Sequence, residues 1–460
     1  MAYQKIYTSS QKRTVLIASA FSSFITPFMG SSVTVALPTI ARDFGASATY
    51  AAWTITGFML GAAMFLIPFG KMADIYGRKK VYIAGSFFSA IFVIGCGLSS
   101  SLPILILFRF LHGVSCACIF STGVAILSSV YPAAERGKAF GINAAFVYLG
   151  GSAGPFIGGI LTQYVSWRSI FFFASPLAFG AAFLVYHFVK DEWKQGGHFD
   201  AKASVLCALS LAFSIYGFSF ITDKNGIISF IVGLIGLSIF VIWQAKASSP
   251  IFPVKLFIKN LNFAMSNLAA FVNYCATAAI AFLLAYYLQY IKGLNANTAG
   301  VILVSQPIVM AILSPFMGRL SDKIAPRILA SSGMAIITVG LIICSFLNEN
   351  SSLTIVVISL LGMGLGFALF ASPNTNAVMT SVGQRYFGAA NTTLSLMRLI
   401  GQMLSIAIAQ VVFAVLIGHV QITYEVHDAL LKSIKYSFAI FSVLCAAGIA
   451  ASLARGKRRT

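Results

Sequence analysis

Fourteen apolar blocks, each about 20 residues long, follow one another along this chain of 460 residues. Their cores lie near 15–36, 51–69, 81–99, 103–128, 140–161, 170–189, 203–221, 227–245, 263–290, 298–317, 328–346, 353–377, 393–418 and 434–453. About 20 apolar residues in a helix cross a hydrocarbon core of about 30 Å. The blocks are continuously apolar and show no alternation of period two, so they predict helices rather than barrel strands. With 58% hydrophobic and 9% charged residues, a soluble fold of this length could not hide its apolar surface. The fold class that follows is an all-α polytopic membrane protein with 14 transmembrane helices.

The charges test that count. With the N-terminus on the inner side, the inside segments hold 23 lysines and arginines and the outside segments hold 6. Basic residues accumulate on the cytoplasmic side of membrane helices. The bias therefore predicts a multi-pass protein of the cell (plasma) membrane with both termini cytoplasmic. The net charge of +20 is then topological and does not point to nucleic acid. All seven cysteines lie in apolar blocks and none forms a CxxC pair, which predicts small buried thiols and no metal. No GxxxxGK[ST] loop occurs, so ATP is not predicted to drive anything here, and no cofactor is implied.

A short motif recurs. The loop after span 2 reads "GKMADIYGRKK" (70–80), and the loop after span 10 reads "GRLSDKIAPRI" (318–328). Gly70 and Asp74 in the first copy correspond to Gly318 and Asp322 in the second. Two copies eight spans apart predict two six-helix bundles with two extra helices between them. The boundaries are 1–200, 201–250 and 251–460, with "KDEWKQGGHFDAK" (190–202) as a hinge. Duplicated bundles around a midplane site are a transporter architecture. In the first copy Gly70 lets helix ends approach, and Asp74 is placed to meet the positive end of a neighbouring helix. Gly77 suits a tight turn with positive φ. Arg78, Lys79 and Lys80 are suited to the headgroup layer.

At this point the chain resembles the major facilitator superfamily. "GKMADIYGRKK" looks like its signature loop, and "RFLHGVSCA" (109–117) resembles its span-4 motif. "VTVALPTI", "WRSIFF", "GRLSDK", "SPNTNAVMTSV" and "LMRLIG" extend the likeness nearly end to end. "GINAAFVYLGGSAGPFIGGIL" is similar to the antiporter motif of the drug exporters, with Gly141, Gly150, Gly154, Pro155, Gly158 and Gly159 in register. With 14 spans, the resemblance is to the drug:proton antiporter family, including tetracycline and multidrug exporters. It implies a major facilitator fold and alternating access. It also implies proton-coupled efflux of small amphipathic compounds by a secondary transporter that is not an enzyme.

The glycines of span 5 have their own physical reading. Gly150, Gly154 and Gly158 are spaced by four and share one helix face, with Gly151 and Gly159 beside it. Small residues at this spacing let helix backbones pack closely in lipid. Pro155 frees a carbonyl one turn back and can kink the helix. The face predicts either a pivot between halves or a static packing seam, and the resemblance favours the pivot.

An ionisable side chain inside a span is costly and marks function by default. Arg109 lies about two turns into span 4, and Arg398 in the first turns of span 13, where snorkelling to the interface competes with a functional role. His112 shares a helix face with Arg109. The pair could meet an anionic or polar substrate group, or His112 could shuttle a proton. The further polar candidates for a substrate or proton pathway are Asn143, Tyr148, Gln306, Asn374 and Asn376, with Asn267, Asn273 and Gln402 beside them. All eleven acidic residues fall in loops or at span ends. Where the resembled family often carries an acid before its "VTVALP"-like run, this chain has Met29. That departure keeps open a carrier of an anionic or neutral metabolite not driven by protons. A transporter-like receptor or scaffold is the remaining alternative. The partners predicted are a small molecule, protons and the lipid bilayer, for a monomer.

Overall fold

The computed structural model describes residues 7–131, 133–189, 199–247, 250–383, 386–418, 420–422 and 424–454. The hinge expected at 190–202 falls mostly outside them, and the side chain of Asp322 is likewise not described. Among the described residues, fourteen helices are long and apolar enough to cross a membrane. Spans 1 to 6 are Ser9–Asp43, Ala48–Tyr76, Arg78–Gly97, Leu102–Leu127, Ala139–Tyr164 and Ser169–Phe188. Spans 7 and 8 are Ala201–Ser219 and Lys224–Lys246. Spans 9 to 14 are Leu261–Ile291, Ala296–Ser321, Pro326–Ser345, Leu353–Thr380, Gly388–Leu416 and His427–Leu453. An even number of crossings puts Ser9 and Leu453 at the same end of the bundle, called the near end below.

Spans 1 to 6 pack mainly on one another, with span 1 against 5 and 6 and span 4 against 2 and 3. Spans 9 to 14 do the same, with span 12 against 10 and 11 and span 9 against 13 and 14. The two groups meet where span 2 touches span 13 and where spans 1 and 5 touch spans 9 and 10. Spans 7 and 8 pair with each other, and span 7 rests against spans 2 and 13.

Span 5 is helical throughout despite its glycines, with Pro155 inside it. In lipid the backbone has no competing water, so a helix of weak formers still closes its own hydrogen bonds. The "GRKK" turn differs from the sequence expectation. Among the described residues Asp74 accepts from Nε and Nη2 of Arg78, at 3.2 and 3.0 Å, rather than from the start of a neighbouring helix. Arg78 also donates to Ser129 Oγ at 3.3 Å, tying the turn to the helix of span 4. Asp74 in the last turn of span 2 and Arg78 at the start of span 3 meet across the Gly77 turn, so the Arg78 guanidinium is held in the turn instead of reaching toward headgroups. Gly77 ends span 2 with φ 110°, a conformation that L side chains avoid.

Spans 9 and 10 are both broken. Span 9 is α-helical over Leu261–Thr277 and Ile280–Tyr286, then widens to a π-turn over Tyr287–Ile291. The amide of Ala279, at the break, donates to Ser405 Oγ of span 13 at 3.0 Å. Span 10 is interrupted at Val304 between Ala296–Leu303 and Ser305–Lys323. Irregular backbone at membrane depth is tolerated where it is buried in protein or lines a cavity. The seven cysteines are buried free thiols.

Candidate translocation cavity

A cavity of about 660 Å³ lies between the two groups of spans. Spans 1 and 5 supply one wall, and spans 9, 10, 12 and 13 the other. Thr277 and Ala278 at the break in span 9, and Leu303 at the break in span 10, all line it. Its lining runs from Val35 and Leu303 to Ser321 and Asn376, toward the near end.

The far end is closed by contacts between the groups. Gln289 Nε2 donates to the carbonyl of Val35 at 2.9 Å, and Tyr290 Oη to that of Pro38 at 3.3 Å. Both donors sit on the π-turn, a local irregularity often found at functional sites. Gln410 Nε2 of span 13 donates to the carbonyl of Thr49 in span 2 at 3.0 Å. Span 5 and span 10 meet backbone to backbone. A Cβ on Gly159 would lie 2.8 Å from the carbonyl of Ala296, and one on Gly300 would collide with the carbonyl of Pro155.

The glycine face therefore serves two partners. Gly150, Gly154 and Gly158 pack on span 1 of their own group, against Phe24, Ser31 and Ser32. Ser32 Oγ seals this seam by donating to the carbonyl of Gly154 at 2.9 Å. Only Gly159, with the carbonyl of Pro155, faces the other group. Gly151 and Pro155 line the cavity, whereas Gly141 stands in open space. A Cβ on Gly70 would make ordinary contact with Ser121, and Gly318 lines the near part of the cavity. Lys79 lies over the ring of Tyr186.

The structure divides the other candidates. Tyr148, Gln306, Asn376 and Arg398 line the cavity. Asn376 Nδ2 donates to Ser321 Oγ at 3.0 Å. Arg398 is deeper than the first turns of its span. The helix begins at Phe387, so eleven residues at 1.5 Å rise place Arg398 about 16 Å along it. The small and polar residues of 388–392 read as loop in the sequence but belong to the helix. Arg398 Nη2 donates to Thr375 Oγ1 at 2.6 Å, and its guanidinium lies 5.7 Å from the ring centre of Tyr274.

Arg109 and His112 are absent from the cavity wall. Both are fully buried between spans 2 and 4. Arg109 Nε donates to the carbonyl of Thr54 at 2.9 Å, and its Nη1 lies 3.3 Å from His112 Nδ1. Phe58 covers both, 4.6 Å from the guanidinium and 5.0 Å from the imidazole ring. Asn143 joins spans 5 and 1, its Oδ1 accepting from Ser19 and Ser23 at 2.7 and 2.8 Å. Asn374 is buried, and so is Met29, in the apolar core.

Sequence reasoning did not single out Ser31, Tyr274, Phe367 or Thr375, which also line the cavity. Gln402, already a polar candidate in the sequence, lines it too, one turn after Arg398.

Comparison with known proteins bears on this arrangement. The family model of the Major Facilitator Superfamily matches residues 19–257 and 267–460. The chain is 31% identical over 398 residues to the riboflavin transporter RibZ of Clostridioides difficile (strain 630), covering 84% of this chain and 85% of that protein. It is 28% identical over 409 residues to the multidrug resistance protein Stp of Mycobacterium tuberculosis (strain CDC 1551 / Oshkosh), covering 87% and 75%. Among solved structures, a bacterial homologue of the human lysosomal transporter Spinster superposes with a TM-score of 0.67, at 19% identity over 97% of each chain. A peptide transporter superposes with a TM-score of 0.69, at 14% identity over 96% and 95%. These two likenesses are of fold.

Proposed function

The chain belongs to the major facilitator superfamily and is a multi-pass membrane transporter rather than an enzyme, and we propose that it exports small amphipathic organic compounds by alternating access. One observation carries the reading. The central cavity is closed at the far end by contacts between the two groups of spans, while its lining runs toward the near end. With the near end cytoplasmic, as the basic bias of the loops predicts, this arrangement fits the loading state of an exporter, and the resemblance to drug exporters supplies the direction. A cavity of this volume suits a drug-sized compound. The break in span 9 and the backbone contact of Gly159 with Ala296 supply a place for the far end to part. Proton-driven efflux follows from the resemblance to drug:proton antiporters. Relatives named for multidrug resistance and for riboflavin set the first compounds to try.

The test is counterflow in proteoliposomes, with labelled riboflavin and labelled ethidium, with and without a pH gradient. Saturable counterflow separates a carrier from a receptor, and acceleration by the gradient establishes proton coupling. Absence of counterflow for every compound would sink the reading. A second reading, a carrier of anionic or neutral compounds not driven by protons, is favoured by one specific feature. No residue lining the cavity among those described carries a carboxylate.

A further inference from the structure

Arg398 brings a full positive charge to the cavity wall, and its surroundings do not neutralise it. Its described hydrogen bond is to the neutral hydroxyl of Thr375. Nε is buried and lacks a hydrogen-bond partner. Among the described residues no carboxylate forms an ion pair with it. Tyr274 offers only a ring face, at 5.7 Å. A part-buried cation with so few protein partners keeps much of its charge and hydrogen-bonding capacity available to an incoming counter-charge. None of the described lining residues is acidic, and the cavity leaves room for a counter-charge.

The rest of the wall describes the body that such a counter-charge would be attached to. Tyr148, Tyr274 and Phe367 offer aromatic faces, and Gln306, Asn376 and Gln402 offer neutral amides. Planar guanidinium groups bind carboxylates and related oxyanions through parallel hydrogen bonds. A cationic compound would meet a like charge with no carboxylate to compensate, which selects against it.

We propose that the cargo class of this cavity is aromatic anions, with the anionic group docked on Arg398 and the ring system held among Tyr148, Tyr274 and Phe367. This rests on the cavity being the translocation site. It separates this chain from an exporter of cationic drugs.

The experiment uses the full chain in lipid nanodiscs and three matched labelled probes: 2-naphthoate, 2-naphthamide and the naphthalen-2-yl-trimethylammonium cation. Charge-assisted hydrogen bonds predict that the acid binds at least about tenfold tighter than the amide, and the cation weakest. In Arg398→Gln the acid-over-amide ratio falls to about one, and Arg398→Lys retains part of it because charge survives without the planar fork. Equal affinity for acid and amide in the native protein overturns the proposal, as does absence of saturable naphthoate binding. A preference that persists undiminished in Arg398→Gln also overturns it. If Arg398→Gln does not fold, the native ratio and Arg398→Lys still decide. Flux of the same probes in proteoliposomes separates the two readings. Selective naphthoate binding without flux of any probe supports the anion site and sinks the transporter reading. Flux of amide and cation with no preference for the acid does the reverse.

Discussion

Arg109 and Arg398 are the same side chain placed at membrane depth in two different halves, and they have opposite surroundings. Arg109 is sealed: its Nε is bonded to the Thr54 carbonyl, and Phe58 covers the guanidinium. Arg398 faces a cavity with one hydroxyl and one ring face for company. The difference teaches that an intramembrane charge can be sealed between helices or left facing a cavity. What separates them is access to the cavity. The glycines of span 5 repeat the contrast, with Gly158 in a seam inside one group and Gly159 in the contact between groups.

Arg109→Ala is expected to do most to break the contrast. It empties a fully buried volume and removes the donor to Thr54, so stability falls by about 3 kcal/mol or more. Arg109→Met refills most of that volume without a charge and should recover most of the thermal midpoint in detergent. If Arg109→Ala keeps the native midpoint and loses only transport, Arg109 is a functional group and the contrast fails.

The glycine pair comes next. Gly158→Leu forces a side chain onto Ser32 within one group and should cost about 1–3 kcal/mol of stability. Gly159→Leu meets Ala296 across the groups, so the same strain acts on the far-end-closed state alone. It should move the population toward an open far end by roughly tenfold or more, leaving the thermal midpoint nearly unchanged. Spin labels on Tyr164→Cys and Phe346→Cys, exposed positions at the far ends of the two groups, should report a longer separation. An unchanged distance would place Gly159 in a static seam.

Smaller effects sharpen the Arg398 side. Thr375→Val removes the hydroxyl that orients the guanidinium, worth about 1 kcal/mol. Naphthoate binding should weaken about fivefold in equilibrium dialysis. The smallest effect is the stability of Arg398→Met, expected within about 0.5 kcal/mol of native, because this side chain faces the cavity rather than a packed core. A drop as large as that of Arg109→Ala would erase the distinction between the two arginines.

Much of the architecture was legible because hydropathy is a local property. Each span announces itself by about 20 apolar residues, and the Gly-x-x-x-Asp copies mark corresponding loops. The site was legible only in part. Tyr148, Gln306, Asn376 and Arg398 stood out as polar groups in apolar blocks, and they line the cavity. Arg109, His112 and Asn143 stood out equally, yet they lie off the cavity wall: Arg109 and Asn143 bond across to neighbouring helices, and His112 meets Arg109 within span 4. Tyr274 and Phe367 carried no signal, since aromatic residues fill every span of this chain. The turn after span 2 shows the same limit, because Asp74 and Arg78 each had several partners open in sequence and settled on one another.

By itself the sequence determined the number of spans and the family to which the chain belongs. Those depend on composition over windows of about 20 residues and on short motifs, which no packing can rewrite. The tertiary structure decided which arginine meets the cavity, which glycine meets the other group and where spans 9 and 10 break. Those depend on the rotation of each helix about its axis. In a membrane the apolar surroundings look alike on every side, so small-residue packing and a few hydrogen bonds between helices set that rotation.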